Sequence, residues 1–336
     1  MAKTILGIDM GYDSLKLALV SGGKVKKAVC VPMPNAMVRE GRVVSTESMG
    51  ELLRNTMKEQ GLRAQKAAFV LSNETVYIRN VTMPKMSADQ LLVNIPYEFN
   101  DYINDEPKNY VFDYAMITAP GESAELSEED EQGGMELMAV ATPKVWIEEL
   151  RDVARKAGMK LVKAAPNISS YSALIRRYES VTGVKDQEYC MLDLGHHTIR
   201  MDMFRSDRHV VTRELEIGLS MLDTAIAEAF RVDVHLAHTY LLSNYENCQT
   251  RDECLSAYNN IAVELMRALN FYRFSNPDSQ LEDIWLCGGG AVNSSLREAI
   301  HSTLDMNIHS AEELLPDTEG LEQGYRFVQA IGVTMD

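Results

Sequence analysis

Gly7-Ile8-Asp9-Met10-Gly11-Tyr12-Asp13 and Met191-Leu192-Asp193-Leu194-Gly195-His196-His197 carry one pattern twice. In each, an apolar run ends in Asp, passes one residue, reaches Gly, and a second apolar run begins. Alternation and β-branched residues favour strands, and glycine permits the tight reversal between them. The expected strands lie at 4–9, 14–20 and 25–31 in the first copy, and at 188–193, 198–205 and 208–216 in the second. One supersecondary unit repeated in both halves predicts a duplicated α/β fold with a cleft between the copies.

Working outward from the first copy, a helix is expected near 46–60, stopped by Gly61, then strands near 66–71 and 74–82. From Pro84 the texture changes. A helix near 87–99, a strand at 110–118, an acidic run from Gly121 to Glu131, a strand at 135–142 and a helix at 143–157 read as a small α/β insert. Strand 160–164 and helix 167–180 return to the main body. Beyond the second copy come helices near 219–230, 234–243 and 251–275, a strand at 283–287, a glycine loop, and helices near 293–303 and 321–333. The expected division is a first domain at 1–83, the insert at 84–160, a return at 161–186 and a second domain at 187–320. A closing helix at 321–336 is expected to pack back on the first domain.

A chain of 336 residues, 46% hydrophobic and 24% charged, has the balance of a globular protein with two domains. No apolar stretch approaches the roughly 18 to 20 residues of a membrane span. The opening Met1-Ala2-Lys3-Thr4-Ile5-Leu6-Gly7-Ile8-Asp9 meets a carboxylate too early for a signal peptide, so a cytoplasmic location is expected, without direct membrane insertion. The net charge of -16 argues against nucleic acid and anionic membrane surfaces as partners. The five cysteines follow no paired CxxC spacing, as reduced thiols would. Cys190 and Cys287 sit in apolar runs and are expected in the core.

The two aspartates carry the chemistry. Asp9 and Asp193 would face one cleft, and two carboxylates beside a polyphosphate require a divalent cation between them. Magnesium suits this position, since it takes oxygen ligands, retains waters and bridges phosphates to one or two carboxylates. Glycines 11 and 195 are expected to leave backbone N–H groups exposed to phosphate oxygens. The strand Ile284-Trp285-Leu286-Cys287 runs into Gly288-Gly289-Gly290 before a helix, a loop on which a nucleotide could lie against bare backbone. His196 and His197 are adjacent on a turn but lack a third ligand at metal-binding spacing.

These elements, in this order, resemble the superfamily of actin, heat-shock chaperones and sugar kinases, a duplicated ribonuclease H-like ATPase fold. Gly7 to Ala18 resembles its first phosphate motif, with Gly11, Tyr12, Asp13 and Lys16; Leu192 to Thr198 resembles the second, with Gly195, His196, His197 and Thr198. Within the superfamily the chain is similar to the FtsA-like PilM family of type IV pilus assembly. The similarity is carried by Ile95-Pro96-Tyr97-Glu98-Phe99-Asn100-Asp101-Tyr102-Ile103, by Asp113-Tyr114, by Thr212 to Gly218, and by Glu264 to Phe274. It implies ATP with Mg2+ in the cleft, Glu264 and Arg267 flanking the adenosine, and the glycines at 288–290 beneath it. It also implies docking of the N-terminal cytoplasmic tail of a PilN-like membrane protein, alongside other pilus assembly proteins. In the family that tail lies between the first domain and the insert. Tyr97, Phe99 and Tyr102 border this region, although helical spacing places at least two of them in a core.

Three departures from the pattern matter. Tyr12-Asp13 stands where small hydroxyl residues are usual, and His196-His197 where smaller residues are usual. Ala165, in Ala164-Ala165-Pro166-Asn167, stands where hydrolysing relatives place Glu. A carboxylate there would activate water, so binding without appreciable hydrolysis is expected. A small-molecule kinase would need a general base and a longer, substrate-specific insert. An FtsA-type division protein would attach to membrane through an amphipathic terminal helix, and Ile331 to Asp336 carries none.

Overall fold

Each hairpin seeds a five-stranded sheet, and the two sheets share one topology. The computed structural model describes residues 3–117, 134–316 and 321–335; the acidic run at 121–131 lies outside them. In the first half, β1 (Thr4–Met10), β2 (Ser14–Ser21) and β3 (Lys24–Pro32) form an antiparallel meander. The two-residue strands β4 (Val38–Arg39) and β5 (Arg42–Val43) make a small separate hairpin. Helix α1 (Thr46–Glu59) starts at Ser45, whose side chain accepts from the Ser48 N–H and so satisfies one of the orphan donors of a helix start. Strand β6 (Lys66–Leu71) then pairs parallel to β1.

The next strands leave this sheet. Strands β7 (Tyr77–Met83), β8 (Tyr110–Met116) and β9 (Met135–Pro143) form their own sheet in the order β7-β9-β8. Between β7 and β8 runs α2 (Ala88–Asn94), opened by a capping box between Ser87 and Gln90. Pro96 cannot supply the N–H that would extend α2, and the chain continues as a 3₁₀ turn, Ile95–Phe99. Helix α3 (Lys144–Lys156), strand β10 (Lys160–Pro166) and helix α4 (Asn167–Thr182) rejoin the first sheet, whose order is β10-β6-β1-β2-β3.

The second half repeats this. Strands β11 (Glu188–Leu194), β12 (Ile199–Arg205) and β13 (Arg208–Leu215) form the meander, followed by helices α5 (Ser220–Phe230), α6 (Val234–Ser243) and α7 (Asp252–Ser275). Strand β14 (Asp283–Cys287), helix α8 (Ser294–Thr303), strand β15 (Asn307–Ser310) and helix α9 (Val328–Gly332) complete it. The order β13-β12-β11-β14-β15 matches the first sheet position by position, with β14 parallel to β11 and β15 parallel to β14.

Strand alternation explains how both faces of each sheet are buried. In β11, Cys190, Leu192 and Leu194 enter the core beneath α5, α7 and α8, while Tyr189 and Met191 enter a central core with α4 and α9. In β1, Leu6 and Ile8 face a third core that contains Met49 and Leu53 of α1 and Leu150 and Val153 of α3. Helices α4 and α9 thus lie between the two sheets. Gly7 makes this possible: a Cβ there would sit 1.7 Å from the Ala330 carbonyl oxygen, so α9 seats directly on the β1 backbone.

Four expectations need correction. Strand β7, expected in the first domain, pairs with β9 in the small sheet. Helix α3, expected in the insert, packs on α1 through Leu150, Val153 and Ala154. Strand β15 was not foreseen, because Asn307-Ile308-His309-Ser310 has one apolar residue. The long closing helix is interrupted: Gln323 adopts φ 55, in the left-handed region, and only a 3₁₀ turn at Gly324–Arg326 and the five-residue α9 follow. That segment does pack against β1, β2 and α4. Among the described residues no helix is long and apolar enough to cross a membrane.

Candidate functional site

The antiparallel register sets each aspartate opposite a base. Asp9 on β1 is paired with Lys16 on β2, and Asp193 on β11 is paired with Arg200 on β12. Lys16 Nζ lies 2.9 Å from Asp9 Oδ2, and Arg200 Nη2 lies 3.2 Å from Asp193 Oδ2. Burial pulls both bases down, but nearby carboxylates override it. Asp9 and Asp193 hold the Lys16 ammonium above its ordinary value, and Asp202 and Asp193 do the same for Arg200. Asp9, Lys16, Asp193 and Arg200 all line one cleft, so the two hairpin ends face each other across it.

The second aspartate is braced further. Arg200 Nε lies 3.3 Å from Asp202 Oδ2, and Gln329 of α9 donates through Nε2 to Asp193 Oδ2 at 2.7 Å. The same Gln329 nitrogen lies 2.7 Å from the buried Tyr171 hydroxyl. Gly288 has φ 87, and a Cβ on it would meet Asp193 Oδ1 at 2.2 Å, so the glycine loop closes directly over that carboxylate.

A cavity of about 640 Å³ opens between the hairpins, within the usual range of ligand sites. Asp9, Gly11, Tyr12, Asp13, Lys16, Asp193, Gly195, His196, His197, Thr198 and Gly289 all line it. Gly288, Gly290 and Gly218 stand just behind. Gly290 packs on Leu194 and Leu219, and Gly218 on the carbonyl oxygens of His196 and Gly195. Glu264 and Arg267 do not line this cavity; they pair with each other on α7, with side chains 41% and 68% exposed. The Gly11 N–H donates to the Ser14 carbonyl and the Gly195 N–H to that of Asp193, so these donors serve the turns themselves.

The departures at the turns acquire partners. The Tyr12 hydroxyl donates to Glu74 Oε2 at 2.8 Å, and burial with this hydrogen bond pushes its pKa up to about 12. His196 Nδ1 lies 2.6 Å from Asp13 Oδ2, and its Nε2 lies 3.5 Å from Asp223 Oδ2. His238 Nδ1 lies 3.0 Å from the same Asp223 oxygen. Burial raises the Asp13 carboxyl, yet the His196 hydrogen bond and the neighbouring imidazoles override it and leave it below the ordinary value. The Asp223 hydrogen bond raises His238, whereas burial and the His196 charge lower His197.

Sequence reasoning missed Arg200, Glu74, Asp223, His238, Asn167 and Gln329. Arg200 was legible, since it follows Asp193 at the same spacing by which Lys16 follows Asp9. The others come from α4, α5, α6, α9 and the β6–β7 loop, and only the fold assembles them.

Magnesium fits the donor set. Asp9 commits Oδ2 to Lys16 and Asp193 commits Oδ2 to Arg200 and Gln329. Each keeps lone pairs for the water shell that magnesium retains. Five carboxylates (Asp9, Asp13, Glu74, Asp193, Glu214) outnumber three permanent cations (Lys16, Arg200, Arg326) on the lining, so a polyphosphate enters only with cations of its own.

A second concavity, about 600 Å³, lies between the small sheet and the first sheet. Val111, Asp113, Ala115 and Met116 of β8 face Lys163, Ala164 and Ala165 of β10 across it, with Ser172, Ala173 and Arg176 of α4 beneath. Both β8 and β10 are edge strands. Ala165 therefore borders this groove and an apolar cluster with Ile5, Ala68, Val70 and Val333, whereas Asn167 is the residue of that segment on the first cavity. Of the aromatic run, only Phe99 is in a core. Tyr97 is 66% exposed, Tyr102 lies under the Arg79 guanidinium, and none of the three lines the groove.

The profile of the family described as type IV pilus assembly protein PilM matches residues 7–314. The chain belongs to the PilM family. Among solved structures it is similar to a PilM-PilN type IV pilus biogenesis complex, with a TM-score of 0.79 at 24% identity over 98% of this chain and 97% of that one. It is also similar to the ethanolamine utilization protein EutJ from Carboxydothermus hydrogenoformans (TM-score 0.58, 13% identity, 99% and 89% covered). MreB5 of Spiroplasma citri bound to ADP gives a TM-score of 0.51 at 12% identity, with 99% and 95% covered. No curated protein matches the sequence. These likenesses establish the actin-like fold that the resemblance implied.

Proposed function

We propose that this PilM-family chain is an ATP-binding scaffold of type IV pilus assembly. It holds ATP with magnesium in the cleft between the hairpins and docks the cytoplasmic tail of a PilN-like membrane protein in the groove between β8 and β10. The observation that carries this reading is the matched pair of hairpins: two aspartates, each opposite a base in the same register, face one cavity. Asp9 and Asp193 would hold the cation through its water shell, and Lys16 and Arg200 keep them oriented. Magnesium supplies the charge that lets a triphosphate lie among carboxylates.

Hydrolysis is slow in this reading. Four cleft carboxylates are already bonded, Asp9 to Lys16, Asp13 to His196, Glu74 to Tyr12 and Asp193 to Arg200. None of these four is a free general base. The groove suits an extended peptide, because edge strands offer unpaired backbone groups to an added strand. A PilN partner is named for the similar complex, and the family membership supports its transfer to this chain. Binding through such a partner would bring a cytoplasmic protein to the membrane face.

Calorimetry on the full chain tests both halves. ATP is expected to bind only with magnesium, and a peptide of the neighbouring membrane protein's cytoplasmic tail is expected to bind wild type but not Ala115→Trp, which fills the groove. Absence of ATP binding in nucleotide-free protein overturns the first half. Peptide binding indifferent to Ala115→Trp overturns the second.

A further inference from the structure

Away from the Asp9–Asp193 pair, the cavity holds a second set of ligating side chains. One donor atom from each of Asp13, His196 and His238 lies within 4.8 Å of the other two. We propose that these three residues bind a zinc ion that clasps the two hairpins, with Asp223 as the outer partner that orients His238.

The chemistry of the set supports this. Imidazole nitrogens with a carboxylate oxygen suit zinc, at bond lengths of about 2.0 to 2.2 Å. Tetrahedral ligands at that distance stand roughly 3.3 Å apart, so side-chain rotations would have to bring the three donors to that spacing. His238 Nδ1 is 3.0 Å from Asp223 Oδ2, leaving Nε2 for a metal. A ligating histidine that gives its other nitrogen to a carboxylate is the usual supporting arrangement.

The two carboxylates point the same way. His196 turns Nδ1 to Asp13 and Nε2 to Asp223. A neutral imidazole has one N–H, so one of these approaches sets a lone pair against a carboxylate. A metal ion in the cluster removes that conflict, as a second proton on His196 also would. Asp223 is 1% exposed, and buried charges are paired or serve metals.

Access and position are also suitable. The side chain of Asp13 is 37% exposed against 16% for His196, which leaves an entry path. Three protein ligands leave a fourth position for water, as in open zinc sites. Asp13 comes from the first hairpin, His196 from the second and His238 from α6, so a bound ion joins the halves of the molecule. The ion would sit in the same cavity as the nucleotide but on different residues from those assigned to magnesium, and this proposal does not rest on the ATP reading.

The test uses untagged, metal-stripped, reduced full-length protein without nucleotide. Zinc chloride is titrated against a chromophoric chelator, and cobalt is added as a spectroscopic stand-in. One zinc per chain is expected, with affinity reduced at least 10-fold by His238→Ala and by Asp13→Ala, and about 10-fold by Asp223→Asn. Cobalt should give visible absorption bands that disappear in His238→Ala. Asp13 lies on a turn, so Asp13→Ala keeps the test decisive if the His238 variant fails to fold. No zinc uptake overturns the proposal. So does zinc or cobalt binding that survives these substitutions, which would place the ion elsewhere.

Discussion

The two hairpins share a backbone and a register, yet they hold their aspartates differently. Asp9 has one buried partner, Lys16. Asp193 has Arg200, which also holds Asp202, and it accepts from Gln329 on a helix seated on the first sheet. Duplication therefore preserved the pairing rule, aspartate opposite base. The second copy is tied into the interface between halves, and the first is simpler. Asp193 is the fixed side of the cleft.

The largest effect should come from breaking that brace. Removing one partner of a buried ion pair costs about 3 to 5 kcal/mol, because the other charge stays buried. Lys16→Met exposes Asp9 alone, so it should fall near the lower end. Arg200→Met takes the neighbouring cation from Asp193 and Asp202 together, leaving them neutral donors only, and should fall toward the upper end, with part recovered by adding Asp202→Asn. Urea unfolding of the variants checks this order. Equal losses would mean that Gln329 at Asp193, with Asn167 and Thr212 at Asp202, compensates for the lost cation, and the comparison would fail.

Next comes the ligand. At 100 times its dissociation constant, a nucleotide stabilises the folded chain by about 2.7 kcal/mol. With magnesium present, Asp9→Ala and Asp193→Ala should each abolish most of the corresponding melting shift. If only Asp193→Ala does so, the first hairpin takes no part in holding the cation, and the two copies differ in function as well as bracing.

The glycine loop gives a smaller effect. Gly288→Ala forces a Cβ to within 2.2 Å of Asp193 Oδ1 at φ 87, which should cost about 1 to 3 kcal/mol through overpacking and backbone strain. Gly289 has no atom within 4 Å of its virtual Cβ, so Gly289→Ala should leave unfolding nearly unchanged. Its effect, if any, should appear in nucleotide affinity. Parallel denaturation and binding curves separate the two.

The same contrast explains what the sequence could disclose. Strands, glycine turns and the repeated Asp-x-Gly are local patterns, so the duplicated fold and both aspartates were legible. Arg200 was legible too, had the Asp9–Lys16 spacing been carried into the second copy. His238 and Asp223 were not, because an imidazole on an amphipathic helix gives no sign of what faces it. Gln329 was hidden behind the expectation of one long terminal helix, which Gln323 breaks. The strand Asn307–Ser310 owes its place to pairing with β14, not to its own residues. Ala165 shows the opposite case: the resemblance set it where hydrolysing relatives place a carboxylate, and the fold turns it to the groove and an apolar cluster.

The smallest expected effect tests the histidine side of the cleft by pH. Hydrogen bonding to Asp223 raises His238 above its ordinary value of 6.5 in the folded chain. A group raised on folding binds its proton more tightly in the native state, so its stabilisation is complete below the unfolded value. It should fade as pH climbs from about 6.5 through the higher folded value. Asp13 works in the other direction: its folded value is depressed, so its contribution is present above the ordinary carboxylate range and lost as acid protonates it. In metal-free protein, the stability of wild type relative to His238→Gln should therefore decline as pH rises from about 6.5 through the higher folded value. The relative stability of wild type and Asp13→Asn should change only on the acid side, near pH 4 and below. Asp223 is buried but the His238 side chain is 29% exposed, so solvent screens the interaction and a difference of about 1 kcal/mol is expected. Unfolding curves at closely spaced pH values are needed to resolve it. A His238→Gln difference that stays flat across that window would mean that His238 is neutral beside Asp223. The charge on that buried carboxylate would then have to be met by another group.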